Sequence, residues 1–199
     1  MRALLEAALA FAARAHDGQR RKGSDVPYIV HPVGVMLTLW EAVECAPELL
    51  AAALLHDTLE DTAVSADQLR DQFGAEVAAI VVGCSEPDKR APWEARKAHT
   101  LVYLKTAPRS VRLVAAADKL HNLRSLVADH AEKGEAVWLR FKRGRAETAW
   151  YYQTVTDSLK SGDLRDHPLV RELEATVEKF FGAPNRLPGS GGEIAAQPN

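Results

Sequence analysis

Apolar residues recur at helical spacing in one segment of this 199-residue chain after another, and proline, glycine or polar loops separate the segments. Pro32 stands where a helix should begin, and its missing N–H is harmless at the first helical position. Pro108 precedes a segment that keeps helical spacing over residues 109–131, and a long helix is predicted from about 135 to 160. No run of alternating residues demands a sheet. The sequence therefore predicts an all-α fold.

Helix boundaries are also predicted near the centre of the chain. Ser65 has the position of an N-cap for the segment ADQLRDQF, and Gly74 closes that segment. The preceding helix is predicted to start near Pro47 and to end around the acidic residues 57–61.

Length and composition predict one domain followed by a tail. A chain of this length folds by default around one core, and the last predicted helix ends near residue 182. Residues 183–199, APNRLPGSGGEIAAQPN, are rich in glycine and proline with few apolar side chains. We therefore expect a helical domain over 1–182 and a disordered tail over 183–199.

Charge and cysteine content exclude several kinds of partner. The formal net charge is −2, so no global basic field would recruit nucleic acid or an anionic membrane. No apolar stretch approaches the roughly 20 residues of a membrane span. The two cysteines, Cys45 and Cys84, lack CxxC spacing, which fits a reducing cytoplasm better than a disulfide framework. We expect a cytoplasmic protein with a small-molecule partner, and the sequence leaves its oligomeric state open.

The segment LLHDTLEDT places four polar groups at the end of an apolar helix. His56 and Asp57 directly follow LLAAALL, and Glu60 and Asp61 come one turn later. At helical spacing the four positions fall within an arc of about 140°, so all could face one cavity. A solvated acidic helix end is the plainer interpretation, but three carboxylates at a helix C-terminus oppose its dipole and repel one another. A bound cation would relieve both penalties.

Two further segments carry polar groups in apolar settings. His31 precedes Pro32 in PYIVHP, where a lone histidine is more often structural. Asp118 follows four apolar residues and needs a partner, either a metal or an arginine, and Asn122 and Ser125 share its helix face. Nitrogen and oxygen ligands without thiolate suit Mn, Fe, Zn or Co, which activate water and polarise phosphoryl oxygens. The candidate metal ligands are His31, His56, Asp57 and Asp118.

The ordered pattern H…HD…D resembles the HD phosphohydrolase superfamily. Three segments, AHDGQRRKGSDVPYIVHPVGV, ALLHDTLEDT and AAADKLHNLRSL, are similar to consecutive motifs of the alarmone hydrolases. These are the hydrolase half of the bifunctional Rel/Spo enzymes and the small stand-alone hydrolases, and the resemblance covers about residues 3–160. It implies a helical HD-domain bundle that uses Mn²⁺ to remove the 3′-pyrophosphate from guanosine tetra- and pentaphosphate. We expect no synthesis of these nucleotides, because the chain ends where the synthetase domain of the bifunctional enzymes would begin.

The resemblance also implies roles for individual residues. The four candidate ligands would hold Mn²⁺, and Glu60 and Asp61 would position or activate the attacking water. Arg21 and Lys22 would pack against the purine and its phosphates. Asn122 and Ser125 would contact the nucleoside, although threonine is commoner than serine at the latter position, which leaves the choice of base open.

The substrate's negative charge requires further cations. Basic runs are usually solvated faces, but two of them are candidate phosphate contacts. One contains Arg96 and Lys97, and the other is RFKRGR, residues 140–145.

Two alternative functions remain at this stage. One is a related hydrolase that acts on an adenosine alarmone or on NADPH. The other is a catalytically silent nucleotide-binding module, which is disfavoured because the candidate ligands and the Glu60–Asp61 pair are both present.

Overall fold

The computed structural model describes residues 1–86, 90–141 and 143–182. Two 3₁₀ segments, Gly134–Arg140 and Gly162–Leu164, accompany the α-helices. The described part contains no strand, and its only bridge joins Arg20 to Pro27 across a loop. The all-α prediction is confirmed. The helices are α1 Arg2–Ala15, α2 Val30–Glu41, α3 Pro47–Leu55, α4 Thr58–Asp61, α5 Ala66–Cys84, α6 Trp93–Leu104, α7 Arg109–Lys133, α8 Arg145–Leu159 and α9 Pro168–Phe181.

Helix α3 lies at the centre of the molecule. It packs against α1, α2, α5 and α7, and every residue from Leu49 to Leu55 is buried. A helix that is apolar on all faces is stable in water only when neighbours cover it on all sides. The residue that follows it, His56, is therefore also buried, with 4% of its surface exposed.

The end of α3 differs from the prediction. The helix ends at Leu55, and His56 and Asp57 form a turn before the four-residue helix α4. Both turn residues keep right-handed helical backbone angles, so the chain continues in nearly the same direction. The start of α2 differs too. It begins at Val30, so Pro32 lies in the first turn rather than at the first position, where backbone N–H groups still have no helical partner.

The long helix predicted from about 135 to 160 is wrong in its first part, because α8 covers only Arg145–Leu159. Gly134 has φ +58, which ends α7, and a 3₁₀ segment and an extended Phe141 separate it from α8. Most of RFKRGR therefore lies in this break instead of on a helix face, with Lys142 outside the described residues. The break brings Arg140 and Phe141 to the edge of a cleft.

Other boundaries agree with the sequence patterns. Ser65 caps α5 in a capping box with Gln68, and Gly74 interrupts the helical path of α5 with φ +87. Helix α7 follows Pro108 as predicted. No helix in the described part is both long and apolar enough to span a membrane. The predicted tail over 183–199 lies outside the described residues.

Candidate metal centre and surrounding clefts

Four side chains from three separate segments converge beneath the surface. His31 comes from the first turn of α2, His56 and Asp57 from the turn after α3, and Asp118 from the middle of α7. His31 Nε2 lies 3.1 Å from Asp118 Oδ1 and 3.4 Å from Asp57 Oδ2. His56 Nε2 lies 3.1 Å from Asp57 Oδ2 and 3.8 Å from Asp118 Oδ1. The four predicted ligands therefore point at one another.

The donor atoms fit a divalent cation. His56 Nδ1 donates to the carbonyl of Ala53 at 2.8 Å, so the lone pair of this imidazole is on Nε2. That Nε2 is buried and makes no well-oriented hydrogen bond within the described residues. Ligand atoms of His31, His56 and Asp118 lie within 4.8 Å of one another, and Asp57 reaches both imidazoles. Two imidazoles and two carboxylates, all buried except for the partly exposed Asp57, match the ligand preferences of Mn, Fe, Zn or Co.

The electrostatics of the cluster point the same way. Burial by itself lowers the pKa of His56, but the neighbouring Asp57 and Asp118 carboxylates outweigh it and hold the pKa well above its usual range. Burial likewise opposes ionisation of Asp57 and Asp118, yet the facing cations hold both pKa values well below the usual range. The imidazoles and the carboxylates thus stabilise one another's charged forms, and a metal bound at the imidazole nitrogens would compete with protons for them.

Tyr28 is a site residue that the sequence analysis missed. Its hydroxyl donates to Asp57 Oδ2 at 2.6 Å and lies 3.4 Å from Asp61 Oδ2. Burial, followed by the charge of Asp57, raises the pKa of Tyr28. A signal was present, because Tyr28 stands three residues before His31 in PYIVHP.

Asp118 is held by two neighbours on α7. Lys119 donates to Asp118 Oδ2, and Asn122 Nδ2 donates to Asp118 Oδ1 at 2.5 Å. The other end of the Asn122 amide accepts from Arg21 at 2.7 Å. Asn122 thus links a predicted metal ligand to a predicted substrate residue, whereas Lys119 was not singled out from the sequence.

The two predicted catalytic residues differ in how they approach this cluster. Glu60 lines a cavity together with His56, Asp57 and Asp118, and its Oε1 accepts from the backbone N–H of Glu86 at 2.6 Å. Asp61 is exposed, lies near the Tyr28 hydroxyl and does not line that cavity. The assignment of both carboxylates to catalysis stays a prediction.

Three clefts surround the cluster. The first, of about 360 Å³, contains the candidate ligands His56, Asp57 and Asp118. The second, of about 700 Å³, opens between the 17–28 loop and α7, and the third, of about 720 Å³, lies between α6 and α8. The six predicted substrate residues all line these clefts, with Arg21, Lys22, Asn122 and Ser125 in the second, Lys22, Arg96, Lys97 and Asn122 in the third, and Lys97 also in the first.

The cations of α6 are paired in this structure. Glu86 forms ion pairs with Arg96 and with Lys97, the latter at 2.8 Å. Lys97 also lies over the ring of Tyr151, 4.9 Å from its centroid. Arg96 and Lys97 stay predicted phosphate contacts, and an arriving phosphate would compete with Glu86 for them.

The helical bundle brings two histidines and two aspartates together as a candidate metal-binding set, and basic side chains line two of the neighbouring clefts. Such an arrangement is typical of metal-binding proteins. The chain belongs to the HD domain family, whose sequence model matches residues 8–146. The resemblance drawn from the motifs is thereby confirmed.

The chain is also similar to individual relatives and to a solved structure. The chain is 42% identical over 118 residues to the zebrafish (Danio rerio) guanosine-3′,5′-bis(diphosphate) 3′-pyrophosphohydrolase MESH1, over 58% of this chain and 65% of that protein. It is 41% identical over 135 residues to the GTP pyrophosphokinase of Streptomyces coelicolor, over 66% of this chain but 16% of that protein. The chain thus spans less than two thirds of either relative. A structure described as a metazoan ortholog of SpoT that hydrolyzes ppGpp is similar, with TM-score 0.78, 28% identity, and coverage of 91% of this chain and 97% of that one.

Proposed function

We propose that this protein is a metal-dependent hydrolase that removes the 3′-pyrophosphate from guanosine 3′,5′-bis(diphosphate) and its pentaphosphate counterpart. The observation that carries the proposal is the convergence of His31, His56, Asp57 and Asp118 next to Glu60. The ppGpp hydrolase activities by which the zebrafish relative and the metazoan structure are named support the choice of substrate. We propose Mn²⁺ as the metal, because the donor set is imidazole and carboxylate without thiolate, and the cytoplasm as the location.

The reaction requires a nucleophile and a way to move two protons. The water oxygen bonds to the phosphorus next to the ribose, and the bond from that phosphorus to the ribose 3′ oxygen breaks. Water gives up a proton, and the leaving 3′ oxygen takes one up. When bound, the cation would supply Lewis-acid chemistry that makes water more acidic and polarises a phosphoryl oxygen.

The carboxylates of α4 supply the proton chemistry in this proposal. Glu60 lines the cavity of the ligand cluster, where the Glu86 N–H holds its carboxylate, and it is placed to receive the proton of an attacking water. Asp61 reaches the same cluster through the Tyr28 hydroxyl, which also binds Asp57. Together the two carboxylates orient water and manage its proton.

Different clefts would bind the nucleoside and the phosphates of the nucleotide. Arg21 is half-buried, bonded to Asn122, and its guanidinium lies 5.7 Å from the centroid of the Tyr28 ring. We assign the second cleft to the nucleoside, since a planar guanidinium can stack on a purine. The phosphates would then meet Lys22, Arg96 and Lys97 in the third cleft, and Lys97 also lines the first cleft, where the 3′-pyrophosphate would reach the candidate ligands and Glu60.

Arg21→Ala tests the stacking contact. Such a contact is worth about 0.5–2 kcal/mol and exists in the ground and transition states alike. We therefore expect KM to rise more than kcat falls, as measured by steady-state kinetics. Arg70→Ala is the matched control, because Arg70 is an exposed arginine of α5 that pairs with Asp67 and lines none of the three clefts. A loss confined to kcat would contradict the stacking role.

Glu86→Gln tests whether Arg96 and Lys97 receive phosphates. Removing the carboxylate charge that now pairs with both cations should lower KM several-fold and make KM more sensitive to salt. Glu76→Gln on the exposed face of α5 removes the same charge away from the clefts and should leave KM unchanged. Equal effects of the two variants would point to net charge instead of this pair.

A nucleotide panel tests the substrate assignment as a whole. Protein loaded with Mn²⁺ is incubated with guanosine and adenosine 3′-pyrophosphates and with NADPH, and released pyrophosphate and phosphate are measured separately. We expect the highest kcat/KM for the guanosine compounds, with pyrophosphate as the product. Preference for NADPH with release of single phosphates would contradict the substrate assignment but not the proposed metal centre. Tight nucleotide binding without release of either product would favour a binding module.

A further inference from the structure

A histidine of α7, which is not itself a proposed ligand, contacts one of the proposed ligands. His121 Nδ1 lies 2.9 Å from His31 Nδ1, and the two rings are 5.0 Å apart at their centroids. Two imidazole nitrogens at this distance share one proton, so one donates and the other accepts. The direction of that hydrogen bond determines which nitrogen of His31 carries a proton.

The surroundings of His31 determine the direction. Its Nε2 faces the carboxylate oxygens of Asp118 and Asp57, where the metal would lie. A neutral imidazole can bind a metal through Nε2 only when its proton is on Nδ1. His31 must then donate from Nδ1, and His121 Nδ1 must accept. We propose that His121 is a positioning residue that fixes the tautomer and the ring orientation of His31 for metal binding.

The other proposed imidazole ligand shows the same arrangement with a different acceptor. His56 Nδ1 donates to the backbone carbonyl of Ala53 at 2.8 Å. Each histidine thus has its Nδ1 occupied and its Nε2 turned toward the carboxylates. The acceptor for His56 belongs to the backbone of α3, whereas the acceptor for His31 is a side chain from another helix. Metal-binding histidines generally need such a partner on the second nitrogen.

Gly34 provides the space in which the His121 ring lies. A Cβ built at position 34 would lie 2.1 Å from His121 Nε2 and 2.3 Å from its Cδ2. Gly34 has no positive φ that would call for glycine, and it is in the middle of α2, where glycine is a poor helix former. The close approach of His121 therefore explains the glycine. Helix α2 supplies both the ligand and the room for its positioning partner.

The inference rests on the proposed metal centre and is independent of the substrate. His121→Phe keeps an aromatic ring but removes the acceptor. We expect it to weaken Mn²⁺ and Zn²⁺ binding about 10–100-fold, measured by competition with a chelator. In metal-free protein, ¹⁵N–¹H NMR of the His31 ring should show the proton moving from Nδ1 toward Nε2. His121→Asn, whose Oδ1 replaces the Nδ1 acceptor, should recover much of the affinity.

Two further variants test whether the effect is specific to the contact between His121 and His31. His130→Phe changes a histidine of the same helix that pairs with Glu135, and it should leave both readouts unchanged. Gly34→Ala should push the His121 ring away from His31 and weaken metal binding, but it should add nothing in a His121→Ala background. This pair also tests the proposal if His121→Phe fails to fold, which circular dichroism would reveal.

The outcomes separate the positioning role from the proposed function. Metal affinity within threefold of wild type in His121→Phe, with the His31 tautomer unchanged, would overturn the role of His121. Wild-type protein that binds metal but hydrolyses no nucleotide would end the proposed function, and the tautomer and affinity changes would still support His121. If the wild-type protein binds neither metal, the proposed metal centre is wrong. An unchanged His31 tautomer in His121→Phe would then also contradict the positioning role of His121.

Discussion

Asp57→Ala should abolish hydrolysis and remove the bound metal together, while the helical fold survives. Asp57 reaches both imidazoles of the cluster, so its loss removes a ligand and leaves the remaining charges unbalanced. The same result is expected for His56→Ala, because His56 Nε2 lies 3.1 Å from Asp57 Oδ2 and would be a ligand of the same cation. Metal content by atomic emission, turnover of the guanosine 3′-pyrophosphate and the circular dichroism spectrum provide the three measurements.

Asp67→Ala is the matched control for that experiment. Asp67 is an exposed carboxylate at the start of α5 that pairs with Arg70 and is not one of the proposed ligands. Its replacement should change neither metal content nor turnover. Full activity in metal-free Asp57→Ala protein would end the interpretation of the site as a metal-dependent hydrolase centre.

Glu60→Gln combined with Asp61→Asn should separate chemistry from binding. Neither carboxylate is among the four proposed ligands, so the metal should stay and nucleotide affinity should be roughly intact. Turnover should fall by about 10²–10⁴-fold, the usual contribution of general acid–base groups. Rapid-quench measurement of pyrophosphate release, beside the metal content, checks both halves of the prediction.

The single variants then assign the roles within the pair. Glu60 lines the cavity of the ligands, whereas Asp61 contacts the Tyr28 hydroxyl. Tyr28→Phe removes the link between Asp61 and Asp57 and is the natural comparison for Asp61→Asn. Loss of metal from the double variant would mean that these carboxylates support or form the ligand set, and their assignment to proton transfer would be wrong.

Much of the fold could be predicted because its signals are local. Pro108 and helical spacing define α7, and Ser65 with Gln68 defines the start of α5. The errors occur where a boundary depends on tertiary contacts or on backbone conformation. The start of α8 was predicted about ten residues too early, because apolar spacing alone does not distinguish the 3₁₀ segment Gly134–Arg140 and the extended Phe141 from an α-helix.

The site could be predicted only in part for a similar reason. The candidate ligands stand in short motifs, so residue type and order were enough to gather them. No local pattern indicates a role for His121, because its contact with His31 spans 90 positions and exists only when α2 packs on α7. Tyr28 contacts Asp57 across 29 positions in the same way. Partners of ligands are set by packing, which a single sequence does not display.

The origin of the proposed ligands in three distant segments would link metal binding to folding. An unfolded chain cannot present α2, the turn after α3 and α7 at the distances found here, so the cation would bind the folded form alone. Its binding free energy is then added to the free energy of unfolding, by about 2.7 kcal/mol at a free concentration 100 times Kd. The free metal concentration would thereby affect the resistance of the protein to heat and proteolysis as well as its rate of nucleotide hydrolysis.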